Sequence, residues 1–156
     1  MKNAISVAAV FSLALSAGIS GCSGTVPGNL GVKDGRLSPC PATPNCESSL
    51  SLDAEHAVKP LTYNGATPAA QAELKKILLG MKRAKITAET GAYLRAEFTS
   101  ALFRFVDDVE FYFDEKAKVI HVRSASRLGK SDLGVNRKRI EAIRAAWEKA
   151  KTEQGR

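Results

Sequence analysis

Apolar positions along the chain change their spacing repeatedly, and each change marks an element. Ala4 to Leu15 is an apolar run. Residues 23 to 55 are rich in Gly, Pro, Ser and Asn and show no periodicity, which reads as a tether. His56-Ala57-Val58-Lys59-Pro60-Leu61-Thr62-Tyr63 alternates apolar and polar residues, a short strand that Pro60 confines to a sheet edge. Thr67-Pro68 reads as a helix start, Thr67 as N-cap and Pro68 at the first helical position. Behind it Ala70, Leu74, Ile77, Leu78 and Met81 recur at helical spacing and form one apolar stripe.

From Ala84 the period becomes two. Lys85 to Ala88 and Tyr93 to Phe98 predict a hairpin with Leu94, Ala96 and Phe98 facing the core. Phe103 and Phe105 are expected to continue the sheet. A second hairpin places Val109, Phe111 and Phe113 inward, turns at Asp114-Glu115-Lys116 and returns through Ile120 and Val122, leaving Arg123 on the opposite face. Asn136 is expected to cap a last helix with Ile140, Ile143, Trp147 and Ala150 as its stripe. The order of elements predicts an α+β fold: an antiparallel sheet of four to five strands with two helices packed on one face.

At 156 residues the chain holds one domain with a proper core. The expected organisation is a signal peptide over 1–21, a lipidated Cys, tether and small disulfide loop over 22–55, and a globular domain over 56–152. Lys2 and the apolar run after it have the form of an export signal, the run being too short for a stable transmembrane helix. Ile19-Ser20-Gly21-Cys22 resembles the lipobox of bacterial lipoproteins, which makes Cys22 the lipidated first residue of the mature protein. The alternative is ordinary secretion with cleavage near Ala17 and a free Cys22 thiol. By the same resemblance, Ser23 rather than Asp after the lipidated Cys points to the periplasmic face of the outer membrane rather than to the inner membrane.

Three cysteines in an exported chain leave one unpaired or modified. Cys40 and Cys46 enclose five residues, and prolines at 39, 41 and 44 pre-bend that loop for a disulfide. Zinc is the competing reading, but His56 and His121, the only histidines, stand at spacings that match no common zinc motif. No metal or cofactor is expected.

Charge changes the picture in one place. Without residues 1–21 the chain carries 22 basic and 16 acidic residues, a net of +6, and Arg123 to Arg139 supplies +5 of it. An exported protein excludes nucleic acid as a partner. Anionic lipid headgroups, phosphorylated glycans and envelope proteins with acidic surfaces remain. Arg137-Lys138-Arg139 opens the last helix at the end where the dipole favours anions, so a negative group is expected nearby. Asp107, Asp108, Asp132 and Glu141 are internal candidates, which would make the segment an ion-pair network. The external candidate is an anion held by Arg123, Ser124, Ser126, Arg127, Ser131, Asn136, Arg137 and Arg139. Asp107 and Asp108, as neighbours in a strand, point to opposite faces and are poorly placed to share a proton.

Cys40 to Ser49, Phe105 to Phe111 and Arg123 to Arg139 resemble the signature blocks of the family called domain of unknown function 1499. Lys130 stands where many relatives have an aromatic residue. The resemblance implies the domain and no chemistry. Two classes of function therefore stand side by side. One is a lipid-anchored, non-enzymatic binding or accessory module whose Arg123–Arg139 surface meets an anionic ligand or partner. The other is an envelope hydrolase using His121 with Asp107 or Asp108 and a loop Ser, although no Gly-x-Ser-x-Gly elbow or metal-binding helix motif occurs.

Overall fold

The computed structural model describes residues 23–154, so the export signal and Cys22 lie outside the described residues. Four long strands carry the fold: β5 (Ala84–Thr90), β6 (Tyr93–Thr99), β7 (Val106–Asp114) and β8 (Val119–Ser126). Before them come β1 (Val32–Lys33), β2 (Arg36–Leu37), β3 (Cys46–Ser48), β4 (Leu61–Thr62) and helix α1 (Thr67–Leu79), and helix α2 (Val135–Gln154) follows. The main sheet runs β3-β8-β7-β6-β5, antiparallel throughout, with β4 also pairing β8. This is the expected α+β architecture.

Alternation in the sequence becomes a core on one face. Leu94, Ala96, Val109, Phe111, Phe113, Ile120 and Val122 are almost fully buried there, against Leu74 and Leu78 of α1 and Ile140, Ile143 and Trp147 of α2. The Trp147 indole N–H donates to the Thr62 carbonyl (2.9 Å), which ties α2 to the edge strand. The second face carries the residues in between, Asp108, Glu110 and Arg123 among them, and these too are buried.

Their cover is the segment expected to be a tether. Gly31 donates its N–H to Glu110 (2.7 Å), β2 packs on β7 and β8, and Leu37 is buried. Asp34 and Gly35 both hold positive φ, 51° and 70°, as the two-residue turn between β1 and β2 requires. Cys46–Ser48 adds a fully buried strand to the sheet, and the Cys40–Cys46 disulfide fastens the preceding loop to its start. The globular domain therefore begins well before residue 56. Short irregular strands with few apolar residues carry no period, which is why composition alone reads them as loose.

Ala66 takes the N-cap position of α1, because the Thr67 hydroxyl is buried against the Tyr63 hydroxyl (2.9 Å). Phe103 and Phe105 lie in an exposed loop closed by Ser100, which bonds Phe105 through its backbone and its hydroxyl, and they do not extend the sheet. Asn136 sits inside α2 with its side chain fully buried, and Asp132 does the capping, accepting from Gly134 (3.0 Å) and Asn136 (2.6 Å) backbone N–H groups.

Phe111 lies on central strand β7 with no exposed surface. Phe111→Ala is expected to lower the unfolding free energy by about 3–5 kcal/mol, read by denaturant titration, and a loss below about 1 kcal/mol would place the core elsewhere.

Candidate functional site

Arg123 to Arg139 spans the end of β8, a loop with positive-φ Gly129 and Gly134, and the first turn of α2. Because β8 side chains alternate, its cations divide between the two faces of the sheet.

On the helix face, Arg139 donates to Asp107 (2.5 Å), Asn136 Oδ1 (2.6 Å) and Ser124 (3.1 Å), with its guanidinium over the Phe98 ring at 4.8 Å. Ser124 donates to Asn136 Oδ1 (2.5 Å), and Asn136 Nδ2 donates to Ser126 (3.1 Å) and to the Asn45 carbonyl (3.0 Å). Asn45 Nδ2 in turn holds the Gly129 carbonyl (2.8 Å). At the sheet edge Arg137 grips Glu47 with two nitrogens (2.5 and 3.2 Å) and reaches the carbonyls of Glu55 (2.7 Å) and Ala57 (3.0 Å). Burial lifts the Glu47 carboxyl above its ordinary range, an effect that Arg137 partly offsets.

On the second face, Arg127 makes a two-nitrogen contact with Asp108 (2.7 and 2.8 Å) and a further bond to Glu97 (2.5 Å). The hydrogen bond to Asp108 leads the effects that raise the Arg127 pKa, so its charge is permanent. Arg123 donates to Glu110 (3.1 Å), and the other Glu110 oxygen accepts from Tyr93 (2.9 Å) and the Gly31 N–H. Burial first, then the Glu110 carboxylate, push the Tyr93 phenol upward, which keeps it a donor. Arg123 Nε is the one buried side-chain nitrogen or oxygen without a hydrogen-bond partner among the described residues.

The arginines expected to hold an external anion thus each face a carboxylate: Arg123–Glu110, Arg127–Asp108, Arg137–Glu47 and Arg139–Asp107. Asp107 and Asp108 pair with Arg139 and Arg127, whereas Asp132, expected as an ion-pair partner, meets no cation among the described residues and accepts the Gly134 and Asn136 amides instead, and Glu141 pairs within α2 with Arg144. Glu47, Glu97 and Glu110 were not among the expected partners. Only the strand register brings them in, through Glu47↔Ser124, Glu97↔Asp108 and Glu110↔Arg123. Ser131 is exposed and accepts the Leu133 N–H at 3.4 Å.

The hydrolase residues are not brought together. His121 pairs with Tyr112, four positions along β7 from Asp108, a separation of roughly 14 Å. Asp107, Ser124 and Ser126 lie on the opposite face. His121 Nδ1 instead meets Ser49 (3.3 Å), whose hydroxyl accepts the Val122 N–H, and the imidazole stacks on Tyr112.

Beside the network, an open cavity of about 520 Å³ lies between the end of α1, the end of β6 and the start of α2. Exposed Lys82, Arg83 and Lys138 line it, with Phe98 and the Asp107–Arg139 pair at its wall.

A family model described as "Protein of unknown function (DUF1499)" matches residues 36–147. The chain belongs to the DUF1499 family. The DUF1499 match opens at β2 and runs into α2, so of the segment that covers the second face it includes β2 but not β1. All three signature blocks contribute to these clusters on the two faces: Asn45 and Glu47 from the first, Asp107, Asp108 and Glu110 from the second, and the arginines from the third. No curated protein matches the chain.

Removing one member of a fully buried pair strands a charge. Glu110→Ala is expected to cost about 3–5 kcal/mol of stability. Lys75→Ala, which removes an ion pair with Glu89 in which both side chains are 39% exposed, is expected to cost less than about 1 kcal/mol. Equal losses in a denaturant titration would contradict the network as described. A second expectation concerns pH. Burial holds His121 below its ordinary value, so the folded protein binds the proton less readily than the unfolded chain. Stability is then full above the unfolded pKa and declines as pH falls through the folded one. His121→Gln should flatten that slope between neutral and mildly acidic pH, and an unchanged slope would assign it to another group.

Proposed function

We propose that this protein is a lipid-anchored envelope module without catalytic chemistry of its own, held through Cys22 in the periplasmic leaflet of the outer membrane. Its anion-facing surface is the exposed basic corner at Lys82, Arg83 and Lys138, not the arginines of the Arg123–Arg139 segment. One observation carries the reading: each of those arginines is matched by a carboxylate, while Lys82 and Lys138 line an open cavity and meet no carboxylate among the described residues. Arg83 shares that cavity and spends its Nε–H on the Thr99 carbonyl (3.0 Å). The scattering of His121, Asp107, Asp108 and the loop serines over two faces supports a module that binds rather than cleaves.

Anchoring rests on the lipobox-like Ile19 to Cys22 and on Ser23 behind it. Among the described residues no helix is long and apolar enough to cross a membrane, so attachment falls to the acyl chains. In cells expressing the full chain, Cys22→Ser is expected to abolish the acyl mass and move the protein out of the membrane fraction. A variant that stays wholly with membranes would end the anchoring reading. Detergent-extracted protein should bind heparin, a probe for anionic surfaces, and Lys82→Glu with Lys138→Glu should lower the salt needed to elute it. Elution at unchanged salt would end the basic-corner reading.

A further inference from the structure

The end of the sheet that carries the β6–β7 and β8–α2 connections gathers exposed apolar side chains and cations in one place. Register places both loops there: Thr99 pairs with Val106, Asp107 with Ser126, and the Arg127 N–H donates to the Val106 carbonyl (3.1 Å). Leu102, Phe103 and Phe105 stand out of the first loop at 79%, 63% and 40% exposure, and Leu133 out of the second at 87%. They are held out rather than loose. Two bonds between Ser100 and Phe105 close the first loop, and the Phe103 and Phe105 rings lie 5.8 Å apart.

Around these tips stand Lys82, Arg83, Arg104, Lys130 and Lys138, all exposed. Across residues 80–83, 100–105 and 127–138 the one acidic residue is Asp132, and its oxygens are taken by the amides of the α2 start. Apolar tips ringed by cations with no free carboxylate match a surface whose interior is acyl chain and whose rim is phosphate.

Chain exit decides what that surface is. Gly24 packs against Arg127 and Leu128, where a Cβ added to it would lie 3.0 Å from side-chain carbons of both. The described chain therefore enters at this same end. Cys22 stands two residues before Gly24 in sequence and two peptide steps span at most about 7 Å, so an acyl anchor there would tether the domain from this same end. The opposite end, with the β7–β8 turn at Glu115 to Lys118, faces away.

We infer that this end of the domain lies on an anionic bilayer, with Phe103 and Leu133 in the acyl boundary and Lys82, Arg104, Lys130 and Lys138 at the level of the lipid phosphates. The inference rests on the anchoring reading for its geometry and names the occupant of the basic corner as lipid headgroups. Acyl anchor and docked face then hold one orientation of the domain.

The test is a depth measurement on the full protein extracted from membranes and reconstituted into phosphatidylglycerol vesicles with brominated acyl chains. Phe103→Trp and Leu133→Trp add a reporter at exposed positions, over a constant background from Trp147, which is 3% exposed. Ala117→Trp, in the opposite turn, is the control. Emission of the two tip variants should shift to the blue and be quenched roughly two-fold or more beyond the control, less so at high salt and less in phosphatidylcholine. The intact mass reports acylation separately. Acylated protein with unquenched tips overturns the docking and leaves anchoring standing. Unacylated protein that still binds phosphatidylglycerol with quenched tips overturns anchoring and supports docking, and unacylated protein that binds nothing overturns both. Equal quenching in neutral and anionic vesicles overturns the role of lipid charge.

Discussion

The first turn of α2 sets the constraint on which the rest depends. Arg137 and Arg139 enter a helix where the dipole already supplies about half a positive charge. Asp132 answers the dipole directly, through its bonds to the Gly134 and Asn136 amides. Arg139 is answered by Asp107 from β7 and Arg137 by Glu47 from β3, so the helix start is tied to two strands at once. Asn136 joins them, because its amide reaches β8 through Ser124 and Ser126 and the β3 approach through Asn45. Such a buried polar assembly is a weak source of net stability, but losing one member is costly, and that asymmetry favours a single arrangement.

Register is where that arrangement acts. A slip of one residue between β7 and β8 would exchange the faces of Asp107 and Asp108. Asp107 would lose Arg139 and Asp108 would lose Arg127, while Phe111 and Phe113 left the core. Charge pairing and apolar alternation thus specify the same register by independent means. The second face makes the constraint wider, since Gly31 donates to Glu110 and β2 packs on β7 and β8, the strands that carry the buried Glu110–Arg123 pair. This is the physical reason that the N-terminal stretch is ordered despite its composition.

Periodicity made β5 to β8, both helices and the core positions legible, because each of those elements is long and half-buried. It failed where a tertiary bond overrules a local preference. Thr67 turns toward Tyr63 and leaves the capping position, and Asn136 gives its amide to the β8 serines while Asp132 does the capping. Phe103 and Phe105 alternate like strand residues but have no partner strand. In the candidate site the cations were legible as a cluster, and so was the need for a counter-charge. Glu47, Glu97 and Glu110 were not, since their partners stand between 13 and 90 residues away in sequence. The signature blocks were legible as blocks, and the structure gives them a common physical meaning as arginine–carboxylate pairs on the two faces of one sheet.

That meaning bears on where function can reside. Arginine suits buried pairing, because a planar guanidinium makes two parallel bonds to a carboxylate and sheds water more readily than an ammonium does. Arg127 and Arg137 do this with Asp108 and Glu47. Lysine is a strongly hydrated point charge on a flexible stem, suited to a surface that meets mobile phosphates without fixed geometry. Lys82, Lys130 and Lys138 are such exposed charges. Within Arg123 to Arg139 the arginines and the lysines Lys130 and Lys138 therefore put positive charge to two different uses. The carboxylate-paired arginines build the corner and hold the loops at fixed positions. The lysines on its outside, with Arg104 and the apolar tips beside them, are the part of that charge still available to an external anion.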